Sequence, residues 1–394
     1  MKILQVTKYY LPAVGFGGPI QCAHNLAKQL VRMGHDVTVF TTNAYAPRSK
    51  LRLPYKNKIV EGVNVHYFPY FAMLSDLYLT PGIIRGFENQ LETFDLVHLH
   101  EYRSFQNIAF LSCNKPRKPY VLQPHGMKPP EAAISEGRPL LNSSRQVYQH
   151  TFGTRLLRGA SKVIALSDSE RESLERIGAI GKNVVVMPNG VAPEDFANPP
   201  EPDLFRRKVG IGDEKIILYI GRVAKSKGLD TLVRSFKKLC EDKEGIRLVI
   251  AGPDDGYLEY LKELVKSSNL GEKVLFPGLI SHEEKLSAYN SADVVVYPGT
   301  YEGFPIVPLE AAIMAKPVIV SDDPGMDYVS RGGFGLTFKF GHEDELKLAL
   351  ERLLSDEQLS RTLGSTGKAC VMQNYTWEIV ARRIEALYRS ILSQ

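Results

Sequence analysis

With 394 residues the chain is long for one α/β domain and sufficient for two of about 190 each. A composition 44% hydrophobic and 24% charged excludes disorder and fibrous repeats, and no apolar run approaches the roughly 18 residues of a membrane-spanning helix. The net charge of +5 hides an asymmetry: residues 1–190 carry 23 Lys and Arg against 13 Asp and Glu, leaving 26 against 31 for the rest.

The chain opens on Met1–Thr7, which reads as a first strand without the basic, apolar and small-residue regions of a secretory leader. Further short β-branched runs follow at Asp36–Thr41, Val63–Phe68, Asp95–Leu99, Tyr120–Gln123, Lys162–Leu166 and Asn183–Met187. In the second half they recur at Lys215–Ile220, Arg247–Ala251, Lys273–Phe276, Asp293–Tyr297, Pro317–Val320 and Gly335–Phe338. Runs of four to seven apolar residues bounded by Gly, Pro or Asp fit strands buried on both faces of a parallel sheet. Between them the period is helical: Ala23, Leu26, Ala27, Leu30 and Val31 share one face, as do Leu229, Leu232, Val233, Phe236 and Leu239. The alternation predicts two doubly wound, Rossmann-like α/β domains.

Proline fixes φ and supplies no N–H, so the proline-rich stretch 191–202, after Pro188-Asn189-Gly190, is expected to be a linker. The domains are then 1–190 and 203–375. A last amphipathic helix, about 376–394, has no strand to pack beneath and is expected to cross back to the first domain. Cys22, Cys113, Cys240 and Cys370 are far apart and form no Cys-x-x-Cys pair, which fits a reducing cytoplasm and no structural zinc.

Four constellations carry chemistry. In Tyr301-Glu302-Gly303-Phe304-Pro305-Ile306-Val307-Pro308-Leu309-Glu310, a loop follows a buried strand and opens a helix predicted to reach about Ala315. Such a transition aims backbone N–H groups at an anion. Alone, Glu310 reads as an acid near a helix start and Glu302 as a loop acid; together they are placed to reach different parts of one long ligand. Gly221-Arg222-Val223-Ala224-Lys225-Ser226-Lys227-Gly228 brings Arg222 and Lys227 to the C-terminal edge of the second sheet. Two cations there can neutralise a diphosphate without a metal, or they are a solvated basic loop. The glycines of Gly15-Phe16-Gly17-Gly18-Pro19 permit close backbone approach to a ligand. They do not spell Gly-x-Gly-x-x-Gly, and no acid ends the second strand (Phe40-Thr41-Thr42-Asn43), which argues against a dinucleotide-dependent dehydrogenase. Finally His98, His100 and His125 lie at strand ends. The spacing of His98 and His100 admits a two-histidine metal site, but alternation along a strand accounts for it equally well.

The ordered set Gly17-Gly18, Gly34-His35-Asp36-Val37-Thr38-Val39, Asp95-Leu96-Val97-His98, Pro124-His125-Gly126, Pro188-Asn189-Gly190-Val191, Gly221-Arg222 with Lys227-Gly228, and Glu302 to Glu310 resembles the retaining glycosyltransferases of family 4 over nearly the whole length. The resemblance implies the GT-B fold, two Rossmann-like domains facing across a cleft, with the acceptor side in the first and the donor side in the second. It implies a UDP- or GDP-linked sugar as substrate, no cofactor and no metal. Arg222 and Lys227 would hold the diphosphate, Glu310 the ribose hydroxyls and Glu302 the transferred sugar. Backbone near Gly303, Phe304, Ile306 and Val307 would meet sugar or phosphate oxygens, Ile280 would face the base, Gly17 and Gly18 would approach the phosphate, and His125 would line the cleft. Pro305 departs from a position that is often glycine and removes one N–H donor.

The implied chemistry is transfer of a hexosyl residue to a glycan or lipid-linked acceptor in glycoconjugate or cell-surface polysaccharide synthesis. A sugar-nucleotide 2-epimerase and a non-catalytic sugar-nucleotide-binding protein are the competing readings. The basic first half favours an anionic acceptor or peripheral contact with the inner face of an anionic membrane. No aromatics interleave the clusters Lys56–Lys58 and Lys115–Lys118, which speaks against nucleic acid.

Overall fold

The computed structural model describes residues 1–13, 18–45, 52–54, 56–74, 77–115, 117–127 and 139–393. These form two compact units, Met1–Gly190 with Trp377–Gln394, and Val191–Thr376.

In the first unit the strands are β1 (Lys2–Val6), β2 (Asp36–Thr42), β3 (Asn57–Val60), β4 (Val63–Phe68), β5 (Ala72–Leu74), β6 (Leu77–Leu79), β7 (Leu96–His100), β8 (Tyr120–Gln123), β9 (Lys162–Ala165) and β10 (Val184–Val186). Eight of them make one sheet in the order β10-β9-β8-β7-β1-β2-β4-β3, parallel except for the antiparallel pair β3–β4 at the edge. β7 and β8 are buried at every position because both sheet faces are covered. On one face Leu4, Val6, Phe40, Phe87, Val97, Leu99 and Leu122 share a core. The helix Trp377–Leu392 belongs to this unit and buries Trp377, Val380, Ala381, Ile384 and Tyr388. Its Glu385 bonds His35 at 3.0 Å and its Tyr388 hydroxyl bonds His98 at 2.5 Å.

The second unit holds β11 (Lys215–Ile220), β12 (Ile246–Ala251), β13 (Val274–Gly278), β14 (Val294–Tyr297), β15 (Val318–Ser321) and β16 (Gly335–Phe338). They are all parallel, in the order β13-β12-β11-β14-β15-β16. The residues read as a helical stripe between β11 and β12 are buried in the helix Leu229–Asp242.

Residues 191–202 differ from the expected linker. They are packed on the second unit: Val191 N–H donates to Tyr375 O at 2.8 Å, and Phe196 is buried. Ser287 Oγ donates to Glu201 O at 2.7 Å, and Asn290 Nδ2 to Pro200 O at 3.1 Å. The prolines remove N–H donors but leave carbonyls, and it is those carbonyls that the helix His282–Ser291 binds.

Each sheet contains a point where the strand order reverses, β1/β7 in the first and β11/β14 in the second. In open α/β sheets ligands gather beyond the carboxyl ends of strands at such points.

Candidate active site

In the second unit the reversal point carries the two loops singled out in the sequence. The loop after β11 is stapled to the loop after β12: Val223 N–H donates to Pro253 O and Asp255 N–H to Val223 O, both at 2.9 Å. The approach is backbone to backbone. A Cβ on Gly252 would fall 1.9 Å from Gly221 O, so no side chain fits there. This staple sets Arg222, 62% exposed, against Asp255 at 2.5 Å.

Lys227 is in a different setting. It is buried, and its Nζ meets Glu302 Oε1 at 2.5 Å and the Tyr297 hydroxyl at 2.8 Å. Gly228, which follows it, has φ 63°, and a Cβ there would lie 2.3 Å from Pro298 O, so the chain can turn this tightly only as glycine. Burial, with the nearby Glu302 charge second, raises the Tyr297 hydroxyl well above the usual tyrosine range, so it stays protonated beside the ion pair.

Glu302 is held from behind by Asp323, which sequence reasoning missed. Asp323 Oδ2 accepts from Tyr301 N–H at 2.5 Å and Oδ1 from Gly325 N–H at 2.9 Å. Those bonds keep Tyr301 in the left-handed region (φ 58°), a strained conformation for a bulky residue. The available signal was an acid between a strand end and a Pro-Gly turn, Asp323-Pro324-Gly325.

Beyond Gly303 the chain enters an aromatic wall. Phe304 stacks on Tyr328 with ring centroids 4.3 Å apart, and the Tyr328 hydroxyl donates to Pro305 O at 2.5 Å. The following helix is Val307–Ile313, shorter than expected from the sequence, because Ala315 turns left-handed (φ 56°). Pro308 in its first turn has no N–H to offer, and those of Phe304, Ile306 and Val307 meet no acceptor among the described residues.

Glu310 does not join Glu302 in one cluster. Its Oε1 pairs with Lys285 at 2.8 Å and its Oε2 accepts from the Tyr289 hydroxyl at 2.7 Å. Both partners sit on the helix His282–Ser291, whose Ser281–Glu284 capping box directly follows Ile280. Ile280 and Glu310 are therefore tied to one rigid element, and each Glu310 oxygen retains a lone pair for another hydroxyl.

In the first unit Gly17 lies outside the described residues. Gly18 begins the helix Gly18–Arg32, and a Cβ there would meet nothing within 4 Å among the described residues. His125 follows β8 with φ 62°. The next two N–H groups, of Gly126 and Met127, donate to Glu170 Oε1 at 2.8 and 2.6 Å, while Leu166 N–H donates to Oε2 at 2.7 Å. Burial raises the Glu170 pKa against the opposing pull of those bonds. Ser167-Asp168-Ser169-Glu170 is a capping sequence, and nothing in it signalled that its acid anchors the turn after His125. Glu170→Ala strands three N–H groups, that of Leu166 buried and those of Gly126 and Met127 part-buried, at about 1–3 kcal/mol each. We expect a stability loss of at least about 3 kcal/mol by denaturant titration, about half as much for Glu170→Gln, and full stability in Glu170→Ala would remove the anchor role.

His98 and His100 stack with centroids 4.2 Å apart, and His100 stacks on His125 at 5.1 Å. Burial depresses the pKa of His98 and of His125 to about 3 and that of His100 well below the usual value. Among the described residues no three His, Cys, Asp or Glu side chains are arranged to hold a metal ion. None of the described helices is long and apolar enough to cross a membrane.

Residues 202–369 match the family described as Glycosyl transferases group 1, and residues 16–195 match Glycosyltransferase Family 4. An uncharacterized glycosyltransferase of Methanocaldococcus jannaschii, MJ1607, is 30% identical over 99% of this chain and 98% of its own. D-inositol 3-phosphate glycosyltransferase of Kineococcus radiotolerans is 28% identical over 92% of this chain and 88% of its own. Among solved structures, sucrose-phosphate synthase from Thermosynechococcus elongatus superposes with a TM-score of 0.79 at 22% identity, covering 100% of both chains. Anabaena HepE, in complex with UDP-glucose, superposes at 0.78 and 20% identity, covering 99% of this chain and 100% of its own. These neighbours establish the GT-B fold for the two α/β units. The chain belongs to glycosyltransferase family 4, the group 1 glycosyl transferases, and is a glycosyltransferase.

Proposed function

We propose that the protein is a retaining hexosyltransferase that takes its sugar from a nucleoside diphosphate donor, UDP- or GDP-linked, without a metal. The observation that carries this reading is the buried Lys227–Glu302 pair at the β11/β14 reversal point, with Arg222 on the same loop as Lys227.

On this reading an incoming diphosphate draws Lys227 and Arg222 onto its oxygens. Glu302, relieved of part of its cation, then accepts from hydroxyls of the transferred sugar. Glu310 binds the ribose hydroxyls while Lys285 and Tyr289 fix its orientation. The open N–H groups at Phe304, Ile306 and Val307 take phosphate or sugar oxygens; Gly303 keeps the chain slim beside them, and Pro305 contributes its carbonyl to Tyr328 instead of an N–H. Ile280 offers backbone to the base, and the family resemblance assigns Gly18 to the phosphate and His125 to the sugar. The glycosidic bond breaks through an oxocarbenium-like state, and charge develops on the departing phosphate, where the two cations stabilise it. The acceptor hydroxyl attacks from the same face and gives its proton to the phosphate oxygen, so no separate base is required. A glycan or lipid-linked acceptor, with peripheral contact of the basic first unit at an anionic membrane, fits the charge asymmetry of the sequence.

A thermal-shift panel of UDP-, GDP- and ADP-linked sugars tests the donor claim. A true donor at 100 times its Kd adds about 2.7 kcal/mol of stability. No shift with any of them would defeat the reading, and release of an epimerised sugar with donor alone would replace transfer by epimerisation.

A further inference from the structure

The reaction proposed above uses His125 but leaves the side chains stacked against it without a task. Gln5 on β1 and His98 on β7 are in register, so Gln5, His98 and His100 project from one face of adjacent strands. All three are fully enclosed. Polar groups in such a place are hydrogen-bonded, and the pattern of bonds fixes where each hydrogen resides.

Two contacts define that pattern. His100 Nε2 lies 3.2 Å from Gln5 Oε1, and His100 Nδ1 lies 2.8 Å from His125 Nε2. A neutral imidazole has one N–H and one lone pair. The Gln5 amide is set with Oε1 toward the ring and its Nε2 without a partner among the described residues; in that setting the oxygen only accepts, so His100 carries its hydrogen on Nε2 and offers a lone pair at Nδ1. His125 must then donate from Nε2, which leaves its own Nδ1 as a bare acceptor. That Nδ1 is screened from bulk water and has no partner among the described residues. Burial disfavours the charged form of both rings, so the neutral pattern holds near pH 7. The backbone at His125 is pinned separately, through the Glu170 bonds to Gly126 and Met127. Ring and backbone are thus fixed by two independent sets of contacts.

We propose that Gln5 and His100 are positioning residues that hold His125 in its Nε2–H tautomer, leaving Nδ1 as an acceptor for a hydroxyl of the bound sugar. The chain is a relay of orientation, not of protons: no bond is made or broken along it. The proposal rests on the glycosyl-transfer reading for its functional consequence, whereas the tautomer itself does not depend on any substrate.

The test therefore has two arms, both on the full-length chain. In the first, ¹⁵N-histidine labelling reads the His125 nitrogens directly, with His125→Ala identifying the signals. Nε2 is expected to show the protonated and Nδ1 the unprotonated shift; the reverse assignment overturns the proposal whatever the enzyme does. Gln5→Met or His100→Leu should mix the two tautomers, and an unchanged pattern in both variants also overturns it. In the second arm, nucleoside diphosphate release from the donor identified by thermal shift gives kcat and KM. His100→Leu is expected to lower kcat by about 10- to 100-fold, with donor KM changed by less than about threefold. His100→Asn keeps an acceptor oxygen where Nδ1 stood and should recover most of kcat. In a His125→Ala background the His100→Leu loss should vanish, since the residue acts only through His125. A loss of equal size in both backgrounds would show a merely structural role and refute positioning. If no donor turns over at all, the transfer reading fails while the first arm still decides the tautomer claim.

Discussion

Lys227→Ala is expected to lower kcat by about 10²–10³-fold and, at the same time, to cost the second unit about 3–5 kcal/mol of stability. Both effects have one origin. Lys227 is buried and gives its charge to Glu302 and a hydrogen bond to Tyr297, so its removal strands a carboxylate out of water as well as a catalytic cation. Arg222→Ala separates the two effects. Arg222 is well exposed and its pair with Asp255 is solvated, so its loss should cost at most about 1 kcal/mol while still reducing turnover by orders of magnitude. Steady-state release of nucleoside diphosphate together with thermal denaturation of both variants decides the matter. Near-normal turnover in Arg222→Ala would end its assignment to the diphosphate. Combining Lys227→Ala with Glu302→Gln should recover stability without recovering turnover.

The second large effect is a loss of stability in mild acid, confined to the first unit. Burial holds the pKa of His98 and of His125 at about 3 and that of His100 well below normal. The unfolded chain titrates near 6.5, so between the two values it binds protons that the folded chain refuses. Folded-state pKa values below the unfolded ones mean stability that is present above pH 6.5 and lost as pH falls. Each such group contributes a slope of up to about 1.4 kcal/mol per pH unit, so the three should together lose about 6 kcal/mol between pH 7 and pH 5. Urea titration at the two pH values reads the difference directly. His98→Asn, which keeps an acceptor for the Tyr388 hydroxyl, should remove about a third of the pH dependence. An unaltered dependence would mean that other groups carry it.

The parallel strands were legible because burial on both faces demands unbroken apolar runs, and Val294–Tyr297 or Lys215–Ile220 can satisfy little else. β3, β5 and β6 were not, for the opposite reason. Asn57–Val60 is an edge strand with three exposed residues, and the β5–β6 hairpin has only three residues in each strand, too few for a period to show. The identities of Arg222, Lys227, Glu302 and Glu310 were readable as charged residues placed after buried strands. Their partners were not, because Tyr297, Asp323, Lys285 and Tyr289 come from elements whose adjacency is a product of folding. Sequence alone set Glu302 and Glu310 at different parts of one long ligand but did not show that each has its own cation. The three histidines show the same limit, since alternation along β7 says that His98 and His100 share a face but not that Gln5 and His125 complete the row.

The helix Trp377–Leu392 completes a unit whose other residues all precede Val191. During synthesis the first unit therefore waits while residues 191–376 are made, about 10–40 s at roughly 5–20 residues per second. Throughout that interval Val380, Ile384 and Tyr388 are missing from the unit, and His35 and His98 lack the partners that Glu385 and Tyr388 later provide. Until then the first unit is without the apolar face that this helix buries in it. The helix Trp377–Leu392 supplies that face last.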